Sequence, residues 1–559
     1  MFKKVDFLLF FILTIISLLL CLDLFLFQAR PSSFDGLTHI VNMAQYNIAL
    51  SQGDFPVRWQ DGFANYGMPI PLFGHQVTSY LGALFIFLTN DPLMSYNMVI
   101  FFGALLSMCG VYLFLREYTD KWSSFIGALL FNFAPYRIIN IFIRGAVPEF
   151  FSHVYTGFIL IALKRWVEKN QTRYVFMYII LASLLLQTHP IAFLVQYILI
   201  APYYLYLVFL KKEGITKNIL IFVASTLLAL GISGYYIIPL LSEFKYFYYG
   251  TQSGLFLPNH FLTMKNFLQP AWHYFYNGDT TTRGNFLHLG GIELIIVSLT
   301  FLIYLVNLRK IGKREWFSPL LFAILFIYLF FLSRYSVFFY EHIKMLGNIQ
   351  HQWRMLTGLI LIPPLLCALF ISKIKNKYIQ TTIGIGIIIY IALFRFPQLY
   401  GKNYVNENKR TYTFTIDNLY AQVYNTIWTG PTQSYPIKKV KGEIIEGKGE
   451  IIKRNERNSW REYEINSITD VRLADNTFYF PGWKVYVDKK EVPIEFQDMN
   501  YRGVITYRVP QGKHNIVVKF TETKIRLLAD FISLFSLAIL GLLIIFRKRL
   551  FGHPAKKGA

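Results

Sequence analysis

The run Val77-Thr78-Ser79-Tyr80-Leu81-Gly82-Ala83-Leu84-Phe85-Ile86-Phe87-Leu88-Thr89 decides how the rest of the chain is threaded. It is apolar. At about 1.5 Å per residue, however, it is too short as a helix to cross a hydrocarbon core roughly 30 Å thick. Runs of spanning length lie near residues 7–27, 93–115, 122–136, 150–166, 174–189, 191–210, 218–240, 286–306, 316–333, 355–372, 378–395 and 525–546. If residues 77–89 do not span, one side of the membrane holds Lys3/Lys4, Arg116/Lys121, Lys164/Arg165/Lys169/Arg173 and Lys211/Lys212/Lys217. The same side then holds Arg309/Lys310/Lys313/Arg314, Lys373/Lys375/Lys377 and the final basic stretch from Arg547. If they do span, Lys3 and Lys4 fall opposite the rest. Lysine and arginine gather in short cytoplasmic loops. The expected fold is therefore mainly α: a polytopic bundle of twelve spans with both termini cytoplasmic and residues 77–89 re-entrant or interfacial.

Composition agrees. The 559 residues are 54% hydrophobic and only 16% charged, too apolar for a soluble chain of this length. A net charge of +23 would suggest nucleic acid in a soluble protein, but here the cations sit in connectors between apolar runs, so nucleic acid is not an expected partner. Cys21, Cys109 and Cys367 all lie inside apolar runs, which argues against disulfides and a cysteine metal site. Residues 7–27 are too long for a cleaved signal peptide and lack a small-x-small site, so they are expected to stay as a helix.

This threading places residues 28–92, 137–149, 241–285, 334–354 and 396–524 on the outer face. The expected organisation is a membrane domain over 1–395 with its first outer loop at 28–92. An extracytoplasmic β-rich domain over 396–524, a final helix over 525–546 and a basic cytoplasmic tail over 547–559 follow. Residues 396–524 are polar and alternate, as in Trp483-Lys484-Val485-Tyr486-Val487 and Ile516-Val517-Val518-Lys519-Phe520, with turn signals at Pro481-Gly482, Asp488-Lys489 and Gln511-Gly512-Lys513. That pattern predicts a small β-sandwich.

The outer loops hold the candidate chemistry. In a helix over 35–50, Asp35, His39 and Asn42 share one face. Asp35 there suits two roles: capping that helix, or accepting a proton from a hydroxyl at the membrane boundary as a catalytic base. Arg58 and His75 follow in the same loop. Arg144-Gly145-Ala146-Val147-Pro148-Glu149 offers either a simple ion pair or an anion contact beside an acceptor contact. His189 sits at a helix junction, where a lone histidine also serves packing. In Gln350-His351-Gln352-Trp353-Arg354 the tryptophan and arginine fit an interface anchor, and the guanidinium also fits a lipid phosphate. The candidate substrate-binding set is His39, Arg58, His75, Arg144, Glu149, His189 and Arg354. No nucleotide-binding glycine loop, no His-Glu-x-x-His and no Asp-x-Asp after Asp35 occurs, so no cofactor is expected and a divalent cation has no motif of its own. Asp23, inside the first run, is left without a role.

These segments carry a resemblance. Asp35-Gly36-Leu37-Thr38-His39, Gly53 to Trp59, Tyr66-Gly67-Met68-Pro69, Arg144 to Glu149, Thr188-His189-Pro190 and Gln350 to Arg354 together resemble bacterial membrane proteins of the "6-pyruvoyl-tetrahydropterin synthase-related" family, over most of the chain. That family's fifth motif usually reads Gln-Phe-Pro-Trp-Arg, so His351 departs from it. Nothing resembles the compact zinc enzyme from which the family takes its name. The architecture is similar to the GT-C glycosyltransferase superfamily. Phe480 to Asp488 and Val509 to His514 look like the outer domain of membrane proteins implicated in teichoic-acid glycosylation.

The resemblance implies transfer of a sugar from a polyprenyl-phosphate carrier to a cell-envelope glycan or lipid acceptor at the outer leaflet. Asp35 would act as the base, Arg144 and Arg354 would hold the lipid phosphate, and Glu149 would hold the acceptor or a cation. The β domain would then bind glycan, with Trp483, Tyr486 and Tyr501 as stacking surfaces or, for Trp483 above all, as core. A non-catalytic exporter or scaffold of the envelope is the alternative. An ion-coupled transporter ranks below both, because ionisable groups at mid-membrane are scarce.

Overall fold

The computed structural model describes residues 7–27, 29–62, 65–247, 261–262, 290–306, 317–349, 351–401, 403–406, 426–429, 435, 438 and 440–547. The chain opens with helix α1, Phe7–Leu26, followed by α2 (Gly36–Ser51), α3 (Gln76–Thr89), α4 (Pro92–Leu115), α5 (Lys121–Asn132) and α6 (Pro135–Phe142). Next come α7 (Val147–Lys169), α8 (Thr172–Thr188), α9 (Pro190–Lys211), α10 (Ile215–Ile232) and α11 (Gly234–Glu243). Later helices include Gly291–Val306, Phe317–Leu332, Ile362–Ser372, Lys377–Phe394 and Lys524–Ile545.

Among the described residues, eight helices are long and apolar enough to cross a membrane, or nine if Phe317–Leu332 and Arg334–His342, bent by 80°, form one broken span. The other predicted spans are helices too: α8 and Gly291–Val306 are apolar but short, and α7 runs for 23 residues. The start of the 286–306 run, most of the 241–285 loop and residues 548–559 of the tail lie outside the described residues.

The short run is helix α3, 14 residues long. It ends at Asn90 in the left-handed conformation (φ 52°). The Asp91 side chain then caps α4, its Oδ1 accepting from the amides of Leu93 (2.9 Å) and Met94 (3.0 Å), with Pro92 at the first helical position. These signals stop one helix and start the next, so α3 does not merge with α4 into one long span.

Helix α7 is the centre of the bundle, packed on α4, α6, α8 and α9. A Cβ at Gly157 would lie 2.3 Å from the backbone of Gly110, so α4 and α7 approach at a distance only glycine permits. Cys21, Cys109 and Cys367 are free and buried, as the sequence predicts.

The β domain is a sandwich of two antiparallel sheets. Strands β4 (Gly449–Glu456), β5 (Trp460–Ser467), β10 (Gly512–Phe520), β7 (Trp483–Val487) and β8 (Lys490–Val492) form one, in that order. Strands β3 (Gly442–Glu446), β6 (Val471–Phe478) and β9 (Val504–Val509) form the other. Alternation puts Ile465, Leu473, Val485, Ile505, Ile516 and Val518 between the sheets.

That core is not built from the β domain alone. Trp59 and Leu72, from the 28–92 segment, are fully buried in it. Trp59 meets Trp483 edge-on at 5.1 Å, and Tyr66 stacks on Phe478 at 4.8 Å. Asp54 accepts from Asn458 Nδ2 (2.7 Å) and Ser459 Oγ (2.5 Å), and Asp61 accepts from Arg461 (2.6 Å). Strand β1 (Arg30–Pro31) pairs with β2 (Tyr404–Val405), and Asp23, at the end of α1, accepts from the amide of Gly401 at 3.0 Å. The 28–92 segment is thus clamped between bundle and sandwich.

Candidate functional site

The site is built on a junction of two loops. The amide of Phe34 donates to the carbonyl of Ile143 (3.1 Å), and that of Asp35 to the carbonyl of Arg144 (2.7 Å). The loops touch because Gly145 sits at φ +66°, where a Cβ would lie 2.5 Å from the nitrogen of Gly36 and 2.6 Å from Ser33 Oγ.

Asp35 occupies the N-cap position of α2, yet its side chain makes no capping hydrogen bond. The capping role that the sequence allowed is therefore not the one adopted. Helix α2 carries His39 one turn further along, as the spacing predicts. Asp35 stays solvent-exposed, and His39, His75 and Arg354 stay partly so. Protein nonetheless crowds the acid and both histidines closely enough that desolvation is the largest influence on each of them.

Arg144 and Glu149 are both buried, at 6% and 1% exposure. Two donors converge on Glu149 Oε1, Tyr136 Oη and Thr357 Oγ1, at 2.5 Å each, and Arg144 Nη1 forms an ion pair with Oε2 at 2.9 Å. The same Nη1 donates to Tyr136 Oη (2.9 Å) and Asn140 Oδ1 (2.6 Å). Nε and Nη2 of Arg144 make no hydrogen bond among the described residues. The guanidinium stacks on Trp353 at 4.3 Å, and Trp353 in turn stacks on His351 at 4.8 Å. One edge of Arg144 is thus held rigidly and the other presented. Nη1 of Arg354 donates to the carbonyl of Ile349 at 3.0 Å.

His39, His75 and His189 form a row, with ring centroids 5.9 Å and then 4.6 Å apart. His189 Nδ1 accepts from the amide of Ala192 at 3.0 Å, which fixes its ring at the start of α9.

The electrostatics tie the cluster together. Burial raises the proton affinity of the Asp35 carboxyl, Arg144 and Arg354 oppose that rise, and Glu149 adds to it. Burial, with the Arg144 charge, pushes the His39 imidazole down to about 3, and burial with His39 and Arg354 does the same to His75.

Seven of the eight predicted residues therefore converge: Asp35, His39, His75, Arg144, Glu149, His189 and Arg354. Arg58 does not join them. Its Nη2 donates to Asp530 (2.5 Å), its Nε to Glu522 (3.2 Å) and its Nη1 to the carbonyl of Tyr235 (2.7 Å), binding the 28–92 segment to the last helix. The sequence reading missed Tyr136, Asn140 and Thr357, and took Trp353 for an interface anchor. A signal was present: Tyr136, Asn140 and Arg144 recur every fourth residue, as one helical face does. Among the described residues no group of three or more His, Cys, Asp or Glu side chains is arranged to hold a metal ion. Trp483 is 4% exposed and belongs to the sandwich core, the role preferred for it over stacking on glycan.

Comparison with known proteins gives one family match and a set of distant folds. Residues 77–399 match the family described as 6-pyruvoyl-tetrahydropterin synthase related domain, a membrane protein. No curated protein matches the chain in sequence. Among solved structures it is similar to the Archaeoglobus fulgidus oligosaccharyltransferase tethered to an acceptor peptide (TM-score 0.43, 16% identity, 77% of this chain and 60% of that one). It is also similar to AglB from the same organism in complex with an inhibitory peptide and a dolichol-phosphate (TM-score 0.42, 15% identity, 78% of this chain and 62% of that one). The chain thus spans about 60% of the length of those proteins.

Proposed function

The chain belongs to the 6-pyruvoyl-tetrahydropterin synthase related family of membrane proteins, and we propose that it moves a sugar from a polyprenyl-phosphate donor to a cell-envelope acceptor at the outer leaflet. The observation that carries this reading is the Asp35 carboxylate, released from helix capping and facing the guanidiniums of Arg144 and Arg354. A base with raised proton affinity beside two fixed cations is what displacement of a phosphate by a hydroxyl needs.

In this reading the acceptor hydroxyl gives its proton to Asp35 as its oxygen attacks the anomeric carbon. The bond from that carbon to the carrier phosphate breaks, and the phosphate leaves with one more unit of negative charge. The presented Nε–Nη2 edge of Arg144 takes that charge in a bidentate contact, with Arg354 beside it. Glu149, Tyr136 and Thr357 hold Arg144 in place. His39, His75 and His189 line the wall and, while neutral, offer the sugar hydroxyls both donors and acceptors.

Membrane fractions incubated with radiolabelled polyprenyl-phosphate sugars test this directly. Wild type is expected to label an acceptor, and Asp35→Asn to insert and fold but transfer nothing. Full transfer by Asp35→Asn overturns the base assignment. Movement of lipid without any glycosyl product, with Asp35→Asn mild, would favour an exporter instead. Cysteine labelling at positions 35 and 310 tests the orientation, since the proposal requires opposite sides.

A further inference from the structure

The β domain carries a second candidate site, on the solvent-facing side of its larger sheet. A groove of about 600 Å³ is lined by Tyr486, Asp488, Lys489, Asn515, Val517 and Lys519. Tyr486 on β7 and Val517 on β10 are direct cross-strand partners, so their side chains form one continuous apolar floor. Both stay partly exposed, while Val485, Val487, Ile516 and Val518, which alternate with them, are buried in the core.

The rim is polar and fixed. Asp488 and Lys489 make the two-residue turn between β7 and β8, and both are left-handed (φ 48° and 70°) at positions where Asn-Gly is the favoured pair. Asp488 Oδ1 accepts from the amide of Asn515 (2.9 Å), and Oδ2 lies 2.6 Å from His514 Nδ1. Asn515 Nδ2 donates to Glu462 (3.3 Å), and its side-chain Oδ1 accepts no hydrogen bond among the described residues. Lys519 Nζ stands 4.8 Å from the centre of the Tyr486 ring.

We propose that this groove binds a saccharide chain. A pyranose ring is apolar on its C–H face and polar at its edge. The groove supplies the matching halves: an aromatic and aliphatic floor, with a carboxylate, an amide and two ammonium groups around it. The rim carries both signs of charge, which suits hydroxyls that donate and accept better than it suits a polyanion. The inference does not rest on the transfer reaction, because none of these residues belongs to the Asp35 cluster.

The full chain, purified in detergent, is applied to a glycan array and to inorganic polyphosphate, with the wild type, Tyr486→Ala, Tyr486→Phe and Asp35→Asn proteins. The expected result is retention of at least one saccharide by wild type, Tyr486→Phe and Asp35→Asn, and about tenfold or weaker affinity in Tyr486→Ala. Retention of no saccharide, equal retention by Tyr486→Ala, or preference for polyphosphate each overturns the proposal.

Discussion

The backbone amide of Asp35 donates to the backbone carbonyl of Arg144 at 2.7 Å, so the proposed base and the proposed phosphate-binding guanidinium spring from one hydrogen-bonded pair of residues. The two stand 109 positions apart in the sequence. Because the contact is between main chains, neither side chain is used up in making it: the carboxylate is left without a capping bond, and Arg144 spends only Nη1 on its supports.

Gly145 makes that junction possible, so Gly145→Ala is expected to disrupt it. A left-handed non-glycine residue costs about 1 kcal/mol or more, and the added methyl would also press on the Gly36 nitrogen and Ser33 Oγ. Transfer should fall by at least tenfold, with a lowered Tm of the detergent-purified protein. An unchanged Tm and rate would show that the loops do not need this contact.

The support of Arg144 can be dissected. Tyr136→Phe deletes a hydroxyl that donates to Glu149 and accepts from Arg144. With buried partners left unmatched, a loss of about 1–3 kcal/mol is expected. Glu149→Ala strands the Arg144 guanidinium and should cost more, about 3–5 kcal/mol. Chemical-denaturation midpoints of the two variants check the order, and a milder Glu149→Ala would contradict the arrangement.

Asp35 makes the reaction acid-sensitive. Its proton affinity lies above the ordinary aspartate value of 3.8, with desolvation by the surrounding protein the main cause, so transfer should fade on acidification at a higher pH than an unperturbed aspartate would give. Arg354 opposes that rise. Arg354→Gln should therefore move the acid limb to still higher pH. A limb that shifts downward, or not at all, would separate Arg354 from the base.

Much of this was legible from local pattern. The shortness of 77–89, the alternation around Trp483 and Ile516, and the four-residue step from Asp35 to His39 each report one element's own geometry. What local pattern does not encode is which distant elements meet. Trp59 reads as an aromatic in a polar loop, and only the fold shows it in a core built mainly from strand residues between Tyr463 and Val518. Tyr136 and Thr357 look like ordinary residues of apolar helices until Glu149 is placed between them. Whether Asp35 caps α2 or keeps its carboxylate free is a matter of side-chain orientation, and both outcomes have the same sequence.

His39 and His75 link stability to pH. Burial is the largest cause that lowers each to about 3 in the folded protein, against about 6.5 in an unfolded chain. The unfolded state therefore takes up protons first. Their contribution to stability is intact above about 6.5 and is lost progressively as the pH falls from there toward 3. Thermal unfolding between pH 8 and 4 should show this decline, and His39→Asn with His75→Gln should flatten it. A decline of the same steepness in the double variant would place its origin elsewhere.

Arg58 separates bracing from binding. It is 6% exposed, and its guanidinium joins the 28–92 segment to Glu522 and Asp530 near the last helix and to the carbonyl of Tyr235. Hydrogen bonds to charged partners contribute about 1.5–3 kcal/mol each when buried, less where water reaches them. Both carboxylates here are about one-quarter exposed, which favours the lower figure. Arg58→Ala should therefore lower the unfolding midpoint and loosen the sandwich from the bundle, read as faster proteolysis between residues 520 and 524. The KM for the lipid-linked sugar should not change in the protein that remains folded. A raised KM with an unchanged midpoint would return Arg58 to the binding site that the sequence suggested for it.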